Sequence, residues 1–197
     1  RDMTDELITA FGNIPKLMPF LHLPVQSGSN RILKSMNRGH IVEEYVEIVN
    51  KLRSVRSDIC FSSDFIVGYP GETDKDFQET IDLCEQVEFS QAYSFNYSSR
   101  PGTPASRKEE LDENLKKTRL HILQDLLSKQ QSTFLREQKN KQHKVLFEKV
   151  GRGIDEYVGR TEQFSPVTVV NKENIVGEIK KVEINSVMSH SLKGDLK

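Results

Sequence analysis

The sequence predicts an α/β fold, with parallel strand–helix units up to about residue 141 and a small all-β barrel after them. Two observations support this prediction. Three short apolar runs, each bounded by turn residues, alternate with segments whose apolar residues recur at helical spacing. From residue 142 onward the helical spacing disappears, and five short β-type runs are separated by glycines.

The first 141 residues contain the predicted parallel units. The predicted strands are 20–23, 59–67 and 92–97, and the predicted helices are 30–36, 42–52 and one that begins after Thr73. Thr73-Asp74-Lys75-Asp76 resembles a capping box. Because helices flank the strands of such units, we expect these strands to be buried on both faces. A long polar helix with one apolar stripe, which includes Leu115 and Ile122, is predicted over 112–141.

The remaining residues, 142–197, are predicted to form a second domain. Its predicted strands are 145–147, 156–158, 167–170, 175–184 and 191–196. Some 56 residues are close to the smallest length that supports an independent core.

Composition and charge exclude several classes of protein. The chain has 28 Lys and Arg against 29 Asp and Glu, so it is not a generally basic nucleic-acid binder. It contains no apolar run long enough to span a membrane, and residues 1–6 show no secretory signal. Two cysteines provide neither a disulfide framework nor an iron–sulfur site, so we expect no metal ligands in this chain and a cytoplasmic location.

Polar residues follow the ends of the predicted strands, where ligands collect in parallel α/β folds. After the first strand, Gln26 and Ser27 offer donors and Gly28 permits close approach of a ligand. A turn with a helix cap from Ser29 or Asn30 is the alternative.

After the second strand, Gly68-Tyr69-Pro70-Gly71-Glu72 forms a loop in which Tyr69 could cover a planar ring and Glu72 could accept from hydroxyls. Alternatively, Glu72 only favours the dipole of the following helix. Asp64, inside the strand, needs a partner if it is buried. His22 is expected to be a buried, hydrogen-bonded side chain and not a metal ligand.

The third strand places aromatic side chains at every second position. This alternation of Tyr93, Phe95 and Tyr97 favours a core position over a base-stacking platform. Arg100 follows the strand and could meet a carboxylate or a phosphate.

The small domain is mildly basic, since residues 138–197 contain 11 Lys and Arg against 8 Asp and Glu, a net charge of +3. Its candidate phosphate contacts are Arg152, Arg160, Lys172, Lys180 and Lys181. A solvated surface remains the alternative, because this charge is small.

Three ordered motifs resemble those of the radical-SAM methylthiotransferases. They are His22-Leu-Pro-Val-Gln-Ser-Gly-Ser-Asn-Arg-Ile-Leu-Lys-Ser-Met-Asn-Arg38, Asp64-Phe-Ile-Val-Gly-Tyr-Pro-Gly-Glu-Thr73 and Tyr97-Ser-Ser-Arg-Pro-Gly-Thr-Pro-Ala105. Residues 159–161 and 191–194 are similar to the TRAM domain that ends these enzymes. The resemblance implies the C-terminal half of an open radical-SAM (TIM-like) barrel with parallel strands, followed by a TRAM (OB-like) barrel.

The resemblance also implies cofactors and residue roles. Such enzymes use S-adenosylmethionine and two [4Fe–4S] clusters, whose cysteines lie outside this sequence. The residues implied to contact S-adenosylmethionine, or the incoming tRNA base, are Gln26, Ser27, Gly28, Ile66, Gly68, Tyr69, Glu72, Tyr97 and Arg100, with Thr103 beside the last of them. No catalytic residue is assigned, and the five cations of the small domain would hold the tRNA anticodon stem-loop.

The most similar branch adds a methylthio group to C2 of N6-dimethylallyladenosine next to the anticodon. Ser27 argues against the branch that acts on a ribosomal protein, while the branch acting on threonylcarbamoyladenosine stays open. The chain alone is expected to be inactive without the N-terminal part of the same enzyme, with which it would form a monomer. A non-catalytic RNA-binding remnant is the other alternative.

Overall fold

The computed structural model describes residues 3–197 and contains two compact units. The first unit contains residues 3–17 and 21–130, and the second contains residues 18–20 and 131–197. The helices are α1 (Asp5–Asn13), α2 (Asn30–Ser35), α3 (Val42–Val55), α4 (Asp74–Val87) and α5 (Glu113–Glu137). The strands are β1 (Phe20–His22), β2 (Cys60–Val67), β3 (Gln91–Asn96), β4 (Gln142–Val150), β5 (Glu156–Thr161), β6 (Pro166–Val170), β7 (Ile179–Val187) and β8 (Leu192–Leu196).

The strand order β1-β2-β3 forms a three-stranded sheet, in which β2 and β3 are parallel from Ser62↔Gln91 to Val67↔Asn96. Beyond β1 the chain continues beside β2. There Gln26 donates its N–H to the Asp64 carbonyl (2.9 Å) and accepts from the Ile66 N–H (2.9 Å). The predicted parallel α/β arrangement is confirmed for these three strands.

Within residues 3–197, helices cover one face of this sheet and leave the other open. Phe61, Phe65 and Val67 are buried in a core shared with residues of α3, α4 and α5. On the opposite face, Tyr93 and Phe95 are 47% and 55% exposed. The predictions that the strands are buried on both faces, and that these two aromatic residues lie in the core, are therefore wrong. The described helices pack on one side of the sheet, and side chains alternate between its faces.

Helix α5 also differs from its prediction. It ends at Glu137, and Asp112 caps its start by accepting from the Asn114 N–H (2.9 Å). Leu123 and Leu127 are buried, but Leu115 and Ile122 are 37% and 47% exposed. Two cations, Lys116 and Arg119, occupy the buried side of the first turns, so the apolar stripe is not continuous.

Helix α1 has no counterpart in the sequence-based prediction. The Thr4 hydroxyl accepts from the Leu7 N–H (3.3 Å) at its start, and it buries Ile8 and Phe11. A capping threonine followed by two apolar residues one turn apart was the available signal. Nowhere in the described chain is a helix both long and apolar enough to cross a membrane.

The second unit contains a closed barrel with the strand order β4-β5-β6-β8-β7. Its pairs are antiparallel except β6 with β8, which is parallel. Alternate residues of the strands fill the core with the side chains of Val145, Phe147, Val167, Val169, Val182, Ile184 and Leu192. The predicted small all-β barrel is thus confirmed, and it shares its unit with the last turns of α5.

The start of α4 is held by a network around Asp76, which is 4% exposed. The predicted capping box is present, since Thr73 Oγ1 accepts from the Asp76 N–H and Asp76 Oδ2 accepts from the Thr73 N–H (2.7 Å). Ser29 Oγ (2.7 Å) and Arg31 Nε (3.1 Å) also donate to Asp76. Ser29 precedes α2 as predicted, but its hydroxyl bonds Asp76 and caps no N–H of α2.

We expect acid to destabilise the chain through Asp76. Burial alone would raise the pKa of this carboxyl, but hydrogen bonds from Arg31, Thr73 and Ser29 outweigh burial and hold it well below 3.8. The stabilisation is therefore present above pH 3.8 and is lost as the pH falls towards the lower pKa of the folded state. Urea unfolding should show Asp76→Asn to be less stable by about 2 kcal/mol at pH 7, with the difference shrinking below pH 4. Glu85→Gln, an exposed position on α4, should follow the unaltered chain at every pH, and a constant deficit of Asp76→Asn would contradict this role.

Candidate functional site

A cleft of about 950 Å³ lies at the carboxyl ends of β2 and β3 in the first unit. It is lined by Gln26 after β1, by Asp64, Ile66 and Tyr69 from β2 and its loop, by Phe95 to Ser98 and by residues of the following loop that include Arg100 and Thr103. Residues of all three sequence motifs therefore meet at one cleft. This convergence was expected, because the carboxyl ends of parallel strands share one edge of the sheet.

The structure brings only some of the predicted cofactor residues into this cleft. Gln26, Ile66, Tyr69, Tyr97 and Arg100 line it, whereas Ser27, Gly28, Gly68 and Glu72 do not. The difference follows from what the second group does inside the protein.

Ser27 and Gly28 pack against α4. Ser27 is fully buried, and its hydroxyl lies 3.4 Å from Thr80 Oγ1 and accepts from the Ser29 N–H. A Cβ at Gly28 would lie 2.3 Å from the Glu79 carbonyl oxygen. The absent side chain at Gly28 therefore lets the backbone of α4 approach closely.

Glu72 ties together the loop between β2 and α4. It is 5% exposed, and its Oε2 accepts from the Gly68 N–H (2.7 Å) and from Arg119 (2.8 Å). Arg119 also donates to the Glu72 carbonyl (3.1 Å) and to Asp74 (2.6 Å). Burial raises the pKa of the Glu72 carboxyl, although the Gly68 N–H and Arg119 act in the opposite direction. The other carboxylate oxygen, Oε1, is buried without a hydrogen-bond partner within residues 3–197.

Gly68 is required by backbone conformation and by a neighbour. Its φ is +71°, and a Cβ there would lie 2.4 Å from Cγ of Lys116. The aliphatic part of Lys116 therefore packs against the loop, while its ammonium group binds Glu110 (2.9 Å) and Glu113. Lys116 and Arg119 were not singled out from the sequence, because helical spacing alone does not reveal which cations a distant carboxylate buries.

Aromatic and aliphatic side chains form one wall of the cleft. The rings of Tyr69 and Tyr97 meet edge to face, with centroids 5.1 Å apart. Tyr69 is fixed because its hydroxyl donates to the Ser35 carbonyl (2.8 Å). Ile66 and Phe95 are register partners on β2 and β3 and line the same cleft. This wall suits the flat face of a heteroaromatic ring.

Polar groups without internal partners complete the cleft. Two residues of the cleft, Asn96 and Tyr97, bury an oxygen that has no hydrogen-bond partner within residues 3–197, the amide oxygen of the first and the hydroxyl of the second. Gln26 is 7% exposed and has a φ of +78°, a conformation rare for residues with a side chain. Arg100 is exposed at the rim, and its carbonyl accepts from the Thr103 hydroxyl (2.8 Å). Unpaired polar atoms beside a strained backbone are typical of a ligand site.

His22 lies on the uncovered face of the sheet. Its Nδ1 is 2.7 Å from Ser62 Oγ, and its Nε2 is 3.5 Å from Asp64 Oδ2, so both His22 and Asp64 have the expected partners. The histidine side chain is 43% exposed, however, so the prediction that it is buried is wrong. It belongs to β1, which in the described part of the chain is an edge strand with β2 as its neighbour.

The five candidate cations of the small barrel are not equivalent. Arg160 lies over the Phe164 ring (4.2 Å) and near Glu148 (3.3 Å), and Lys180 pairs with Glu178 (2.5 Å). Arg152, Lys172 and Lys181 are exposed and form no ion pair within residues 3–197. That range also contains no group of three or more His, Cys, Asp and Glu side chains arranged to bind a metal ion.

Comparison with known proteins identifies relatives along the whole chain. Residues 1–84 match the Radical SAM superfamily. The chain is 50% identical over 197 residues to the tRNA-2-methylthio-N(6)-dimethylallyladenosine synthase of Rickettsia felis, covering 99% of this chain and 44% of the relative. The synthases of that name from Bartonella tribocorum and Maricaulis maris are 51% and 48% identical, each over 100% of this chain and 43% of the relative. The chain thus spans less than half the length of these relatives. Its similarity to the Radical SAM superfamily covers residues 1–84, and its similarity to the tRNA-2-methylthio-N(6)-dimethylallyladenosine synthases extends from end to end.

Proposed function

We propose that this chain is the C-terminal part of a radical SAM tRNA methylthiotransferase, in which it supplies the later strands of the open TIM-like barrel and a TRAM barrel that binds RNA. The main support is the cleft at the ends of β2 and β3. Gln26, Ile66, Tyr69, Tyr97 and Arg100 come from three separate motifs and line this one cavity. The family and the relatives add independent support.

S-adenosylmethionine fits the chemistry of the cleft. The Ile66 and tyrosine wall would face the adenine ring, Gln26 and Asn96 would bond the ribose hydroxyls, and Arg100 would meet the carboxylate of the methionine moiety. A volume of about 950 Å³ is within the range of small-molecule sites. With an electron from a reduced [4Fe–4S] cluster, bound S-adenosylmethionine would supply radical chemistry for hydrogen abstraction from C2 of the target adenine. The residues of this chain orient it and help to exclude water.

The two clusters require ligands from outside these 197 residues. A thiolate-held cluster needs three or four cysteines, and the chain has two. Burial raises the pKa of the Cys84 thiol, which disfavours the thiolate that binds iron. We therefore propose that both clusters are held by the N-terminal part of the enzyme, and that this part is a required partner with which the chain forms a monomer.

The proposed substrate is N6-dimethylallyladenosine next to the anticodon of tRNA, as the names of the relatives indicate for those proteins. The small barrel would hold the anticodon stem-loop through its phosphates and so direct the base to the cleft. A cytoplasmic location follows from such a substrate. Threonylcarbamoyladenosine is the alternative base.

The first prediction concerns activity. The chain alone should neither hold two clusters nor cleave S-adenosylmethionine. A chimera that places the preceding segment of the Rickettsia felis relative before this chain should form 5′-deoxyadenosine and methylthiolate tRNA, measured by mass spectrometry of nucleosides. Two clusters or cleavage on the chain alone would contradict the proposal. A chimera that holds both clusters yet cleaves nothing would favour the RNA-binding remnant.

A second prediction tests the cleft directly. In the chimera, Arg100→Ala should weaken binding of S-adenosylhomocysteine at least 10-fold, because a charge-assisted hydrogen bond contributes about 1.5–3 kcal/mol. Arg107→Ala is the matched control, since Arg107 is exposed on the short helix after the same loop and does not line the cleft. Titration calorimetry measures both variants, and equal affinities would remove Arg100 from the site.

A further inference from the structure

The second unit contains a groove that the sequence motifs do not indicate. It has a volume of about 460 Å³ and lies between the end of α5 and the β7–β8 hairpin. Ser132, Arg136 and Lys139 line the first wall, and Ser186 to Ser189 line the second. The His190 Nδ1 lies 3.0 Å from the Gln131 Oε1, which joins the two walls near one end.

The cations of this groove are free of internal partners. Arg136 and Lys139 are exposed, and within residues 3–197 neither forms an ion pair. No Asp or Glu lines the groove. By contrast, four cations of the barrel are paired, namely Lys144, Arg160, Lys180 and Lys197. A cation that already has an acidic partner attracts an external anion less strongly. The unpaired cations of the groove therefore provide a stronger anion site than Arg160 or Lys180.

The other lining groups suit a phosphate diester. Serine hydroxyls donate to phosphate oxygens, and guanidinium and ammonium groups supply charge-assisted hydrogen bonds. Lys193 on β8 is the register partner of Ser186 and is exposed, so a third cation lies beside the hairpin wall. Met188, which is 58% exposed, offers an apolar contact for a ribose or a base.

We propose that this groove, lined by Arg136, Lys139 and the hairpin serines, binds the phosphate backbone of RNA. The inference depends on the proposed function, because it assumes that the chain acts on tRNA, and it names a surface of the small-barrel unit that supports that role. It moves the expected contacts from Arg160 and Lys180 to two residues at the end of α5 that the sequence analysis did not select.

Fluorescence anisotropy with a labelled RNA stem-loop, measured on this 197-residue chain over a range of salt concentrations, tests the proposal. The variant Arg136→Ala/Lys139→Ala should lower the slope of log K against log salt by about 1.8 and weaken binding about 30-fold at 0.15 M salt. Lys117→Ala/Lys149→Ala is the matched control, because it also removes two exposed cations that form no ion pair within residues 3–197, lies outside the groove and touches none of the candidate phosphate contacts. The control should lose less than about 3-fold, and circular dichroism should show both variants folded.

The outcomes separate this inference from the proposed function. If the unaltered chain binds RNA and the groove variant binds as well as the control, the groove is wrong while RNA binding stands. Equal losses in both variants would also overturn it, because they would indicate a diffuse charge effect. Competition by polyglutamate as strong as that by unlabelled RNA would overturn it in favour of an acidic protein. A chain that binds no RNA at any salt concentration would overturn both proposals.

Discussion

A single buried ion pair, between Glu72 and Arg119, determines the shape of the loop on which the candidate site depends. Glu72 also holds the Gly68 N–H, so the backbone turns sharply where β2 ends. That turn directs Tyr69 towards Tyr97 and makes one wall of the cleft. Breaking a buried pair costs about 3–5 kcal/mol because the remaining charge is left without compensation. Arg119 therefore supports the site from α5 without lining it.

Much of the fold could be predicted because periodicity depends on local geometry. Neighbouring residues alone were enough to predict the strands β2 and β3 and the capping box of α4. The covered face of the sheet could not be predicted, since this depends on where the helices pack. Tyr93 and Phe95 have the spacing of core residues and yet lie on the open face. For the same reason, the prediction of a continuous apolar stripe on α5 missed Lys116 and Arg119, which lie on its buried side. Their acidic partners include Glu72, which is distant in sequence.

The candidate site was predictable in location and less so in the role of each residue. Strand ends of a parallel sheet converge, so Gln26, Gly68 and Arg100 were expected to lie near one another. Gln26 and Arg100 line the cleft, whereas Gly68 does not and packs against Lys116. Gly28 and Glu72 come from the same motifs, but they serve packing and loop closure. A glycine or a carboxylate in such a motif is equally suited to binding a ligand and to stabilising the fold. Only the contacts of the folded chain distinguish these two roles. In the small barrel, the same contacts distinguish cations that have an acidic partner from cations that have none.

The central claim is that the ends of β2 and β3 seat the adenosyl group of S-adenosylmethionine. Photolabelling of the full-length chimera with an azidoadenine analogue of S-adenosylmethionine, followed by peptide mass spectrometry, tests it most directly. The account predicts labels on peptides that contain residues 64–73 and 95–105, and their loss when unmodified S-adenosylmethionine competes. Competed labels confined to the face around Arg31 and Glu79, on the other side of the Gly28 turn, would contradict it.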